Sequence, residues 1–180
     1  MKHINLNPMN PPLNWQDKLP DELPQGWGER AAVLCQAQSL TAALRALGGS
    51  FTVKVLYMGE LDGQGNSFGE NHAETAAPQF VRDVLLHLDG VPVVQARSAC
   101  SPQSQAWRGV LDCGTQPLGE RLFDGTLPLK RSAFEFCLME NAGGQDDFRR
   151  PVAARRSYFD WDGEVLELTE YFLAGLARFV

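Results

Sequence analysis

No stretch of this chain approaches the roughly 18 consecutive apolar residues that a membrane helix requires. Its first residues lack the continuous apolar segment of a secretory signal, so a cytoplasmic location is expected. Basic charge is scarce: 16 Lys+Arg stand against 22 Asp+Glu, a net charge of −6. An acidic surface repels a phosphate backbone, which argues against nucleic acid as a partner. Cysteine is confined to Cys35, Cys100, Cys113 and Cys137, with no Cys-x-x-Cys pair and no zinc-ligand spacing. The simplest reading is reduced thiols used as small apolar residues, as in a reducing compartment. His3, His72 and His87 are isolated, so no metal is expected. No serine sits in a Gly-x-Ser-x-Gly elbow, and the glycines of residues 63–69 lack the Lys-Ser/Thr of a phosphate loop. Hydrolases of the first type and nucleotide binding of the second are thereby disfavoured.

What is present is ordinary globular material. An apolar fraction of 44% against 21% charged residues suits one packed domain of 180 residues, without disorder or coiled coil. Pro8, Pro11, Pro12, Pro20 and Pro24 mark residues 1–26 as an irregular arm, which Trp15 and Trp27 can pin to a body formed by residues 27–180. Val33, Leu34, Ala37, Leu40, Leu44 and Leu47 recur at helical steps, and Gly48-Gly49 supplies a stop, so residues 29–47 are expected to form one helix. A strand is expected over Phe51–Leu61. A long glycine-containing loop follows over residues 62–78, with a short helical turn near His72–Ala77. Asp89-Gly90 joins Phe80–Leu88 to Val91–Ala99, and Asp162-Gly163 joins Val152–Trp161 to Glu164–Phe172; both read as tight hairpins. Between them, Ser101-Pro102 opens an expected helix to Cys113, Leu118–Phe123 a second short helix, and Leu127–Met139 a strand, with a polar loop over Asn141–Arg150. The architecture predicted is α+β: a single antiparallel sheet of about six strands, with helices and flap segments enclosing an internal ligand site.

Strand alternation places two charges where apolar residues belong. Phe80, Arg82, Val84, Leu86 and Leu88 share one face, and so do Leu166, Leu168, Glu170 and Phe172. A lone buried charge is costly, so such groups are paired or functional. One reading is a purely structural Arg82–Glu170 ion pair. The other is a cavity in which Arg82 grips a carboxylate and Glu170 acts as acid or base. Arg155 and Arg156 point to opposite faces, so at most one lines that cavity; a solvated edge pair is the plain alternative. Asp146-Asp147 reads as a solvated loop.

The same residues resemble a family. Pro117-Leu118-Gly119 followed by Leu122-Phe123, then Arg155-Arg156-Ser157, then Leu168-Thr169-Glu170, together with Val81-Arg82-Asp83-Val84-Leu85-Leu86, are similar in order and approximate spacing to the motifs of chorismate pyruvate-lyases. The resemblance runs from about residue 30 to the C-terminus; residues 1–26 and the loop over 62–78 differ. It implies conversion of chorismate to 4-hydroxybenzoate and pyruvate for ubiquinone synthesis, without metal or cofactor, by a monomer. By position, Arg82 would bind the ring carboxylate with help from the backbone at Leu118. Glu170 would be the general acid–base residue, also touching substrate. Leu40 would stand where the family has a flap residue, commonly methionine. Two rivals remain: a non-catalytic sensor of small aromatic acids with the same fold, and an interaction protein whose Arg82–Glu170 pair is only structural.

Overall fold

A computed structural model describes residues 13–62, 77–139 and 147–180. Its frame is a seven-stranded antiparallel sheet with four α-helices, an α+β fold. The strands are β1 (Phe51–Leu61), β2 (Gln79–Leu88), β3 (Val91–Cys100), β4 (Lys130–Arg131), β5 (Glu135–Leu138), β6 (Pro151–Trp161) and β7 (Glu164–Leu173). They run in the spatial order β1-β2-β3-β7-β6-β4, and β5 also pairs with β6. Both expected hairpins form. Asp89 and Asp162 adopt positive φ of 48° and 51°, and Gly90 and Gly163 follow at 77° and 87°. Two successive residues at positive φ match the twist of the flanking strands, which is why Asp-Gly suits these turns.

The apolar stripe of residues 29–47 is divided between two helices, α1 (Glu29–Cys35) and α2 (Leu40–Ala46), where a single helix was expected. Ser39 explains the break: its backbone is extended, and its Oγ accepts the Ala42 N–H as the N-cap of α2. The helix expected from Ser101 starts later, as α3 (Gln105–Leu111). Ser104, not Ser101, caps it by accepting the Trp107 N–H at 3.2 Å. Residues Ser101–Ser104 are taken up by a turn closed by Ser104 N–H and Ser101 O. The short helix α4 (Leu118–Phe123) has the bounds expected of it. The strand expected over Leu127–Met139 is broken into β4 and β5, which brings the count from about six strands to seven. Both pieces pair with β6, and Ser132 between them exchanges hydrogen bonds with the Tyr158 backbone.

The core packs Leu34, Leu40 and Leu44 of α1 and α2, Trp107 and Leu111 of α3, and Leu118 and Leu122 of α4 onto one face of the sheet. Burial of such side chains contributes about 1.5–3 kcal/mol each. The chain is closed at its C-terminal end by a 3-10 helix, Ala174–Arg178, which packs on β3. In the proline-rich segment, Gln16 forms an isolated bridge with Phe136, Arg156 stacks over Trp15, and Trp27 meets Phe172 edge-on at 6.1 Å. His3, the glycines of 63–69, His72 with the turn expected there, and Asp146 lie outside the described residues.

Candidate active site

The site grows out of the register of the sheet. Directly opposed residues in antiparallel strands share a face. Arg82 opposes Ser98, Ser98 opposes Leu168, and Leu168 opposes Ser157. One row along, Val84 opposes Ala96, Ala96 opposes Glu170, and Glu170 opposes Arg155. Apart from Ser157, these two rows floor a cavity of about 40 Å³, roofed by Leu40 and Thr41 of α2 and by Pro117, Leu118 and Gly119 at the start of α4. Such a space admits a few waters rather than an aromatic acid, so entry of a benzoate-sized molecule requires the roof to lift.

Arg82 is buried, at 2% exposure. Its Nη2 donates to Gly114 O at 2.8 Å and to Gln116 O at 3.2 Å, both in the turn that leads into α4. Its Nε has no hydrogen-bond partner among the described residues. Burial pulls its pKa below the ordinary value, with the neighbouring Cys113 opposing the shift. The Arg82–Glu170 ion pair, one of the two alternatives that strand alternation leaves open, does not form among these residues. Glu170 is paired instead with Arg155, whose Nε donates to Glu170 Oε2 at 2.5 Å. The physical reason is register: Arg155 stands directly opposite Glu170 on the neighbouring strand, whereas β3 separates Glu170 from β2, which carries Arg82. Nη1 of Arg155 also donates to Cys35 O at 2.9 Å and Ala37 O at 2.6 Å, so a buried cation caps the C-terminal end of α1. Arg156 points to the opposite face, where its Nε donates to Glu135 Oε2 at 2.6 Å. Arg155 is therefore the one of the two that lines the cavity.

The sequence reading missed Arg131. It enters from β4, lines the same cavity, and donates from Nε to Ser157 Oγ at 3.0 Å and from Nη1 to Gln38 O at 2.6 Å. Phe134, Phe159 and Phe123 surround its guanidinium, at 4.1, 4.9 and 5.2 Å from their ring centroids. Burial pushes its pKa down to about 10, against the pull of Glu170, so it is a cation at neutral pH. Only its place in a charged-apolar alternation hinted at it, and a two-residue strand is too short for that signal. Leu40, Leu118, Arg82 and Glu170, the four expected site residues, all line the one cavity. Among the described residues, no three His, Cys, Asp or Glu side chains converge as metal ligands, and no helix is long and apolar enough to cross a membrane.

The family model for chorismate lyase matches residues 18–178. The chain belongs to the chorismate lyase family. It is a lyase on that account. A probable chorismate pyruvate-lyase of Ralstonia nicotianae is 33% identical, over 92% of this chain and 91% of that one. Another, of Shewanella loihica, is 30% identical over 92% and 90%. A third, of Albidiferax ferrireducens, is 32% identical over 82% of each. In backbone shape, the effector domain of PhnF from Mycobacterium smegmatis gives a TM-score of 0.45 at 14% identity, over 75% of this chain and 88% of that one. Within the chorismate lyase family match fall all three strands that carry the cavity arginines, both roof helices and Glu170.

Proposed function

We propose that this protein is a chorismate pyruvate-lyase, releasing pyruvate from chorismate to leave 4-hydroxybenzoate. The observation that carries the reading is Arg82: a buried guanidinium whose Nε has no hydrogen-bond partner among the described residues, in the wall of a cavity that also holds Glu170. Glu170 already has Arg155 as its countercharge, but the buried charge of Arg82 is expensive unless a ligand uses it. Arg82 would take the ring carboxylate, assisted by the backbone at Leu118, since amides at a helix start have no intrahelical acceptor. Leu40 would cover the ring from the roof.

In the reaction, the carbon–oxygen bond to the enolpyruvyl group breaks and the neighbouring hydroxyl-bearing carbon loses its proton. The ring thereby becomes aromatic. The released enolpyruvate gains a proton on its methylene carbon and becomes pyruvate. One proton leaves the ring and one enters the side product, so a single carboxylate that accepts and returns a proton suffices. Glu170 has that role, with Arg155 holding its position. Aromatisation supplies the driving force, and the protein orients the substrate and excludes water. In this reading the enzyme needs no cofactor, works as a cytoplasmic monomer and supplies 4-hydroxybenzoate for ubiquinone synthesis.

The test is to follow both products after purified protein is mixed with chorismate in the presence of a chelator. Equal, enzyme-dependent amounts of 4-hydroxybenzoate and pyruvate are expected. Binding of 4-hydroxybenzoate with no turnover would make the protein a sensor, and no binding of either would leave the cavity charges structural.

A further inference from the structure

The charges around the cavity do not balance. Arg155 and Glu170 neutralise each other as an ion pair. Arg82 and Arg131 both line the cavity, and among the described residues neither has a carboxylate within ion-pair distance. Their hydrogen bonds go to carbonyls and, for Arg131, to one hydroxyl. Among the described residues, the cavity wall therefore carries two positive charges with no carboxylate paired to them. Arg82 is buried and Arg131 half-buried, and charges of one sign withdrawn from water in this way call for an anion beside them.

Their placement is as telling as their number. Arg82 stands on β2 and Arg131 on β4, which are four strand spacings apart, roughly 19 Å between backbones. The row Arg82–Ser98–Leu168–Ser157 runs from one to the other, since Ser157 Oγ accepts the Arg131 Nε–H. Glu170 stands on β7, between the two ends. A ligand lying across this floor would meet a guanidinium at each end and a carboxylate at its middle. A monocarboxylate would complete one end only.

We propose that Arg131 binds the second carboxylate of a dianionic substrate, the one on the enolpyruvyl group, and so distinguishes substrate from the monoanionic aromatic product. This deepens the lyase reading and rests on it. Arg131 Nη1 is held by Gln38 O in the segment between α1 and α2, the segment that leads into the roof. A carboxylate arriving at Arg131 is a stronger acceptor than that carbonyl and draws the guanidinium to itself. Departure of pyruvate removes this carboxylate and leaves the product held at the Arg82 end alone.

Two probes separate the ends: 4-hydroxybenzoate, a monoanion, and 3-(1-carboxyvinyloxy)benzoate, a dianion whose ring is already aromatic and cannot eliminate. Titrations with each are made on the unaltered protein, Arg131→Gln and Arg131→Lys. Arg131→Gln is expected to weaken the dianion by roughly ten- to hundredfold, the loss of one charge-assisted hydrogen bond, while 4-hydroxybenzoate binds within about twofold of the original. Retained 4-hydroxybenzoate binding also shows that the variant is folded. Arg131→Lys should recover part of the dianion affinity, because it restores the charge without the fork. Equal weakening of both ligands, or no weakening of the dianion, overturns the assignment. If the unaltered protein binds neither ligand, the lyase reading falls and this assignment falls with it. Binding of both by the unaltered protein with equal loss in Arg131→Gln overturns only the role of Arg131.

Discussion

In the proposed reaction Glu170 is both the acid–base group and the countercharge of Arg155, and substitution separates the two roles. Arg155 is 1% exposed and leans on Glu170 for its countercharge. Glu170→Ala leaves that cation buried with only the carbonyls of Cys35 and Ala37, and breaking a buried pair in this way costs about 3–5 kcal/mol. Glu170→Gln keeps the shape and one acceptor oxygen for Arg155. It should retain most of the stability while losing turnover by about a hundredfold or more, the usual contribution of a general acid–base group. Thermal unfolding and steady-state rates on both variants check this. A well-folded, fully active Glu170→Gln would take Glu170 out of the chemistry. That two charges would fall on an apolar face was legible in strand alternation at Arg82 and Glu170. Which charge would meet which was not, because alternation gives a residue its face and not its neighbour across the sheet.

At the scale of elements, the roof depends on a close approach of α2 and α4. A Cβ on Gly119 would stand 3.0 Å from Thr41 Oγ1, tighter than a relaxed contact. Gly119→Ala is expected to push the two helices apart, at a cost of about 1–3 kcal/mol, and to weaken 4-hydroxybenzoate by loosening the cover over its ring. Thr41→Ala removes the opposing hydroxyl, so the double variant should regain affinity beyond the sum of the singles. A strictly additive double variant would show that the seam does not control access. The Gly in Pro117-Leu118-Gly119 was visible in the sequence, but its partner was not. Likewise the stripe over residues 29–47 was read as one helix, since Val33, Leu34, Leu40 and Leu44 suit either arrangement. The break arises from Ser39 as a cap and from Arg155 and Arg131, which hold the carbonyls of Cys35, Ala37 and Gln38. Those arginines lie about a hundred residues further along the chain, beyond the reach of a local pattern.

At the scale of the whole molecule, all four thiols are buried and none is in a disulfide, and they are spread from α1 to β5. Burial pushes the Cys35 thiol up to about 12 and that of Cys100 up to about 11. Unfolded thiols ionise near 8.5, so above that pH the unfolded chain releases protons that the folded chain keeps. The contribution of these groups to stability is intact below about pH 8.5 and declines as pH rises toward their folded values. The melting temperature should fall progressively above about pH 9. Iodoacetamide should label the native protein slowly and the denatured protein fast, since reaction requires the thiolate and access to it. Rapid labelling of the native protein at neutral pH would contradict this burial.

The sequence by itself determined the local and periodic features: two Asp-Gly hairpins, the faces of their strands, Arg82 and Glu170 on apolar rows, Arg155 and Arg156 on opposite faces, and the motifs that resemble the chorismate lyases. These follow from steric preferences of neighbouring residues and from a side-chain period of two, which any short segment carries within itself. Only the tertiary structure decided that β7 lies between β3 and β6, that Glu170 faces Arg155, that Arg131 completes the far end of the cavity, and that α1 stops where distant arginines bind its carbonyls. Those outcomes rest on pairings between segments far apart in the chain, where burial of the whole face, and no residue alone, selects the register.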